Sequence, residues 1–545
     1  MPIDPSQADA VFGDEPVPRG LRWIIGGLLM YRILYHLTWV AEVPFAVAPV
    51  SDGRVYELAA LDLLAHPPLG QAPFYLQGFY AAVLAAPMAL GGLPAALLVQ
   101  LLLALGALAL WYRAMRSWFG ARTAAIGLAL ALAIPALAFY ENKILSASLT
   151  IDCSVAALAA IAWLRRGAPT WACAVAGMAA GACVLARPNL LLAVPALVFA
   201  LWRMSRRDAP AVRMAVFAAG VALALAPMAW RNAVVTGDAT IFPAHGGGTS
   251  FYIGNNAAAR GVWNAGGVFS GDVTREREEI VLPDAAPGVE VDAAAGTRER
   301  GRELYRRALQ DIGDDPLRWA RLELRKAWLL LGNDELAQDY DIAGERELIP
   351  WAWPIGLPFA LVVALALIGA WRCRGDRVLG WTLGGLAFAT IAANLVFFTS
   401  SQHRLPLVVP LVTWAAPGVV ALAQWWRARA VQGRARVVLA LAVVVAVQGW
   451  WPRVRSRGVT AVHYYNLAVA YDRVGETQPA LSAFDRALAL APDHPVMLIE
   501  RASLRVALSQ FDGARADLEH LRALPSPPWV QRRAALLERQ LASLP

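Results

Sequence analysis

The stretch AEVPFAVAPVSDGRVYELAALDLLA, residues 41–65, carries four carboxylates, Glu42, Asp52, Glu57 and Asp62, against one cation, Arg54. It follows directly on an apolar run, so an acidic loop stands at a membrane edge. One reading is a solvated loop in which Asp52 opens a helix, where the dipole and free N–H groups favour a carboxylate. The other is a base held beside a substrate whose reactive end lies at the bilayer surface. Tyr56 then falls one turn further along the same helical face.

The second reading needs cations, and they occur at the ends of other apolar runs. FYENKILSASLTID puts Glu141 and Lys143 at one mouth, with Asp152 about two turns deeper. ARPNLLL puts Arg187 at another, SSQHRLPLVVP puts His403 and Arg404 at a third, and WRNAVVTG puts Arg231 and Asn232 at a fourth. Snorkelling explains any one arginine. Several cations meeting one acidic loop describe an anion site with a base beside it. Lys143, Arg187, His403 and Arg404 are therefore the expected phosphate-binding set. Tyr56, Glu141, Asp152, Asn232, His245 and Asn255 are the expected contacts to the remaining substrate.

Asp152 inside an apolar run costs about 2.5–3.5 kcal/mol on insertion scales, so it should face the bundle interior or a wet cavity. HGGGTSFYIGNN supplies His245, Asn255 and a glycine triplet. Such a triplet either lets backbone N–H groups approach a phosphate or is a turn; the P-loop lysine and spacing are missing. There is no HExxH and no paired-histidine spacing. No cofactor is required by these residues, and a divalent metal is left open.

The elements that must position these groups are apolar. The 545 residues are 58% hydrophobic, with mean hydropathy +0.46, above the roughly 45–50% of soluble domains. The twelve apolar runs extend from 21–40 to 436–452 and predict an all-α polytopic bundle. The net charge of +8 is almost all arginine, since lysine occurs only at 143 and 326. Those arginines cluster in short turns: Arg113 to Arg122, Arg165 and Arg166, Arg203 to Arg213, Arg372 to Arg377, and Arg427 to Arg436. Such clusters set orientation rather than bind nucleic acid. All five fall inside if the N-terminal tail, 1–20, is cytoplasmic and 73–90 dips into the outer face without crossing. About eleven spans remain. Loop 41–92, the insert 231–350 between membrane parts 21–230 and 351–457, and the tail 458–545 then lie outside; Arg453, Arg455 and Arg457 are the exception to the rule. The four cysteines, Cys153, Cys173, Cys183 and Cys373, show no CxxC spacing, so neither a metal site nor a disulfide framework is implied.

In AVHYYNLAVAYDRVGETQPALSAFDRALALAPDHP, residues Tyr464, Leu467, Ala468, Tyr471, Gly475, Ala480, Phe484, Ala487 and Pro492 stand at tetratricopeptide-repeat (TPR) offsets. A weaker unit follows, and 528–543 is the expected capping helix of a small α-solenoid. It either binds a partner or is a structural appendage.

The order of these features resembles the membrane glycosyltransferases that use polyprenyl-phosphate sugars, which include the protein O-mannosyltransferases and the lipid A aminoarabinose transferase. The matching features are an acidic first outer loop, the proline-aromatic APFYLQGFY, the inner RSWFGAR turn, RPN outside, RN before a large outer loop, and HRLP entering a late span, over roughly residues 20–425. The resemblance implies a GT-C-like helical fold and a polyprenyl-phosphate sugar donor. It implies Asp52 as general base and inversion at the anomeric carbon. Where many members have Asp-Glu, this chain has Asp52-Gly53; where many have Lys-Pro-Pro, it has Gln71-Ala72-Pro73. Arg187, Arg404 or Lys143 would then replace that lysine at the lipid phosphate.

The expected function is transfer of a sugar to an extracytoplasmic protein hydroxyl or glycolipid, in a bacterial inner membrane, with the repeats free to recruit a protein acceptor. The alternative is a non-catalytic scaffold binding partners through the repeats, for which so many spans are excessive. A transporter coupled through Asp152 lacks the internal repeats and broken helices of that class.

Overall fold

The computed structural model describes residues 15–206, 209–243, 246–263, 293–352, 356–428, 431, 434–450 and 459–543, with backbone alone for 293–300. His245 and the arginines 453, 455 and 457 lie outside the described residues. The named regular elements are helices, with one isolated bridge between Val262 and Thr399. By length and composition seven described helices can cross a membrane: Arg19–Glu42, Gly78–Leu132, Ser146–Arg165, Pro188–Ser205, Pro210–Thr236, Arg377–Val396 and Ser401–Ala428. Two shorter apolar helices, Ala172–Ala186 and Phe359–Arg372, stand among them. The chain is a multi-pass membrane protein.

The stretch Gly78–Leu132 is broken at Gly91-Gly92 and at Gly120, where φ is +66° at Gly92 and +76° at Gly120, so its three pieces follow the separate apolar runs of this part of the sequence. Only glycine adopts such angles at little cost. The first piece, 78–90, extends about 20 Å, less than the roughly 30 Å hydrocarbon core.

Helix pairing relies on small residues. Ala172–Ala186 crosses Pro210–Thr236 where Gly177 faces the Phe217 carbonyl and Gly220 faces the Ala174 carbonyl. Gly369 and Gly418 do the same between Phe359–Arg372 and Val408–Ala428. Backbones in lipid approach this closely only where side chains are missing.

The two ends of the bundle differ. At one, Arg165 donates to the Ser117 carbonyl at 3.4 Å and pairs with Asp376 at 3.3 Å, gathering three basic turns. At the other, the acidic loop, the large insert and the C-terminal residues meet. Arg231 donates to the carbonyls of Leu69 (2.8 Å) and Ala72 (2.7 Å). Tyr464 donates to Glu347 at 2.8 Å, and Arg473 pairs with Glu57 at 3.0 Å. The C-terminal part is an array of helices: Ala461–Arg473 packs on Thr477–Leu490, Pro495–Ala507 on Phe511–Arg522, and Pro528–Ala542 closes against the second pair.

Candidate active site

Distant parts of the chain line one cavity of about 400 Å³ at the acidic end. Asp52 and Tyr56 come from the helix Asp52–Ala65, and Tyr75 and Gln77 from the segment before the long kinked helix. Arg187 and Asn189 come from the break between two apolar helices. Phe398, Gln402 and His403 come from the turn before the last long span, and Phe242, Ile253 and Trp263 from the large insert. That turn is held by Ser401, whose N–H donates to the Leu336 carbonyl (3.0 Å) and whose hydroxyl accepts from Leu336 N–H (2.7 Å). This brings Gln338 and Asp339 beside Gln402.

Asp52 opens its helix with no side-chain cap bond from Ser51, which lies at φ +51°. The Ser51 hydroxyl instead donates to Asp339 Oδ1 at 2.6 Å. Asp339, Gln402 and Arg187 stand around the Asp52 carboxyl, and each favours its charged form. Burial outweighs all three and pushes it up to about 6. Its carboxyl is thus more basic than that of a free aspartate. The Tyr56 hydroxyl donates to Gln77 Oε1, and burial first, then the Asp52 charge, holds it as a phenol. Arg187 is buried and donates to the Gln402 carbonyl at 3.4 Å. Burial lowers its pKa, opposed by Tyr56 and Asp52. The His403 ring lies 4.9 Å from that of Phe398, and Ser400 Oγ accepts its backbone N–H at 3.1 Å.

Gly53 is explained by its neighbours. A Cβ there would stand 2.8 Å from the Tyr340 hydroxyl and 3.2 Å from the Ile144 carbonyl. No second acidic side chain fits beside Asp52 from that position. The second carboxylate comes from Asp339, far along the chain.

The structure thus gathers Asp52, Tyr56, Arg187 and His403 and places Lys143, Glu141, Arg404, Asp152, Asn232 and Asn255 elsewhere. Lys143 does not reach the cavity. Its ammonium is fully buried over the rings of Trp39 (4.3 Å) and Phe139 (4.1 Å) and pairs with Glu345, which also accepts from Tyr35 and Trp39. Glu141 accepts from Arg32 at 2.6 Å. Arg404 donates to the Gly332 and Asp334 carbonyls at 2.8 and 2.9 Å and lines a separate cavity of about 180 Å³. Asp152 lines a separate small cavity with Tyr80 and Gln100. Asn232 donates to the Thr240 carbonyl at 2.7 Å, and Asn255 to Phe251 and Val396 at 2.8 and 2.9 Å. Each of these groups has protein partners or another location, so none is aimed at a ligand in the main cavity. The glycine triplet starts the helix Gly246–Asn255, where Gly248 faces the Gly301 backbone and Gly247 borders the main cavity.

Gln77, Gln338, Gln402 and Asp339 were not singled out from sequence. Gln402 stands next to His403 in SSQHRLP, and Asp339 and Asp341 form a D-x-D at the end of the insert; both signals are short and common. Among the described residues no three His, Cys, Asp or Glu side chains gather as a metal site. Asp52 and Asp339 offer two carboxylates, fewer than such a set.

No family model and no curated protein matches the chain. Among solved structures it is similar to the apo oligosaccharyltransferase of Archaeoglobus fulgidus: 13% identity, TM-score 0.41, covering 85% of this chain and 60% of that one. It is also similar to ArnT from Cupriavidus metallidurans bound to undecaprenyl phosphate: 15% identity, TM-score 0.41, covering 95% and 88%. The oligosaccharyltransferase AglB from Archaeoglobus fulgidus, in complex with an inhibitory peptide and a dolichol-phosphate, gives 14% identity and TM-score 0.40, covering 92% and 60%. The chain therefore spans about 60% of the length of the archaeal protein it matches. At these scores the likenesses carry no functional assignment.

Proposed function

We propose that the chain is a glycosyltransferase that moves a sugar from a polyprenyl-phosphate carrier to an extracytoplasmic acceptor, a protein hydroxyl or a glycolipid. The observation that carries the reading is the pairing of Asp52 and Arg187 in one cavity with aromatic and apolar walls. A carboxylate raised to about 6 is a competent base at neutral pH. It takes the acceptor hydroxyl proton while the oxygen forms a bond to the anomeric carbon. The bond from that carbon to the phosphate oxygen breaks, and its electron pair leaves with the lipid phosphate. Arg187 stabilises the charge that develops there. Tyr56, Gln77 and Asn189 supply hydrogen-bonding groups for sugar hydroxyls, and Tyr75, Phe242 and Trp263 supply ring faces. The acidic end faces outward in a bacterial inner membrane if the basic turns are cytoplasmic.

The test is Asp52→Asn in membranes that contain the native donors, with glycan transfer read by lectin or mass spectrometry. Loss of transfer with normal insertion supports the reading, and undiminished transfer removes Asp52 as the base.

A further inference from the structure

The C-terminal array touches the backbone beside the proposed base. The first array helix, Ala461–Arg473, ends on Arg473, whose guanidinium donates to the Pro49 carbonyl and, at 3.0 and 3.3 Å, to both oxygens of Glu57. Those two partners flank Asp52. Asn466 of the same helix is buried and donates to the Asp339 carbonyl at 2.8 Å. Asp341, two residues on, accepts from Thr460 N–H at 3.2 Å. One helix therefore grips the chain on both sides of the contact between Asp52 and Asp339.

That contact needs an external hold. Ser51 sits at φ +51°, where a non-glycine residue persists only if its surroundings over-determine it. Its hydroxyl bond to Asp339 supplies one constraint. Arg473 and Asn466 supply the others, from a part of the chain more than 400 residues away. A module that only recruits acceptors has no reason to bind these two backbone carbonyls.

We propose that Arg473 and Asn466 are positioning residues for Asp52, so that the C-terminal array is a brace of the active site as well as, or instead of, a recruiting surface. This rests on the reading of Asp52 as the base. With the brace released, the turn at 49–57 opens and the alignment of Asp52 with Asp339 and Gln402 is lost. The other titratable groups facing Asp52 are Tyr56 on its own helix, Tyr340 beside Asp339, and Arg187 across the cavity.

The experiment uses the full-length chain in detergent, and its first reading needs no substrate. Carbodiimide labelling of Asp52 with a glycine ester is followed against pH by mass spectrometry. The wild-type midpoint is expected near the raised value of about 6. Arg473→Ala should move it away from that value, upward where the groups that favour the charged form are lost, and Arg473→Lys should restore part of the shift. Asn466→Ala should act in the same direction and serves if Arg473→Ala does not insert. Turnover on an undecaprenyl-phosphate hexose should fall about tenfold to a hundredfold in kcat, with the donor KM unchanged. Glu57→Ala should be non-additive with Arg473→Ala.

An unshifted midpoint in both Arg473→Ala and Asn466→Ala overturns the brace even if transfer proceeds through Asp52. A rise in acceptor KM alone also overturns it and assigns recruitment. A shifted midpoint in a chain whose Asp52→Asn variant still transfers sugar leaves the brace standing and removes the base.

Discussion

Two buried polar clusters lie near each other at the acidic end, and they serve different ends. Around Lys143 and Glu345 every charge has a partner: Tyr35 and Trp39 donate to the glutamate, aromatic rings cover the ammonium, and Gln100 holds the Glu141 and Lys143 carbonyls at 2.6 and 2.8 Å. Around Asp52 and Arg187 the same kinds of group border a cavity. A closed cluster fixes how helices meet. An open one keeps hydrogen-bonding capacity for something else. Position at a membrane mouth is common to both, so only the presence of space separates scaffold from chemistry.

The sharpest break of this comparison comes from Asp52→Asn, which should cut transfer about a thousandfold, measured as initial rates at saturating donor. Next, Lys143→Met leaves the Glu345 charge buried without its partner and should cost about 3–5 kcal/mol of stability. It is read by thermal unfolding in detergent, with the specific activity of the folded fraction unchanged. Arg187→Ala should lower kcat about a hundredfold without a comparable change in thermal midpoint. If Lys143→Met acts on rate and Arg187→Ala on stability, the two clusters have been assigned the wrong way round.

The smallest effect is a pH signature. The rate should fall as pH drops through about 6, where Asp52 takes up its proton. The stability effect runs the opposite way. The folded-state pKa is raised above the unfolded value, so the stabilising contribution of protonated Asp52 is present at low pH and lost as pH rises through about 6. Asp52→Asn should therefore gain thermal stability over wild type as pH rises from the unfolded value of 3.8 to about 6, stay level above that, and show no gain below the unfolded value.

The helical membrane architecture was legible because apolar length alone specifies it. The break at Gly91-Gly92 was legible as well, since those glycines interrupt the apolar pattern between two runs. In the site, Asp52, Tyr56, Arg187 and His403 were legible as polar groups at the ends of apolar runs. Lys143 and Arg404 carry the same signal and lead elsewhere, because what decides their role is distant in sequence. Glu345 lies 202 residues from Lys143, and the carbonyls that hold Arg404 come from 332 and 334. Asp339 was missed for the same reason. Its partner is Ser51, 288 residues earlier.

The close fit of Gly53 against Tyr340 constrains how this loop can vary. A side chain introduced at 53 would have to displace the Tyr340 ring, which packs edge-on against Phe45 at 5.3 Å, and would still crowd the Pro49 side chain and the Ile144 carbonyl. Any enlargement at 53 is therefore transmitted through that ring to Asp339 and the turn that carries Asp52.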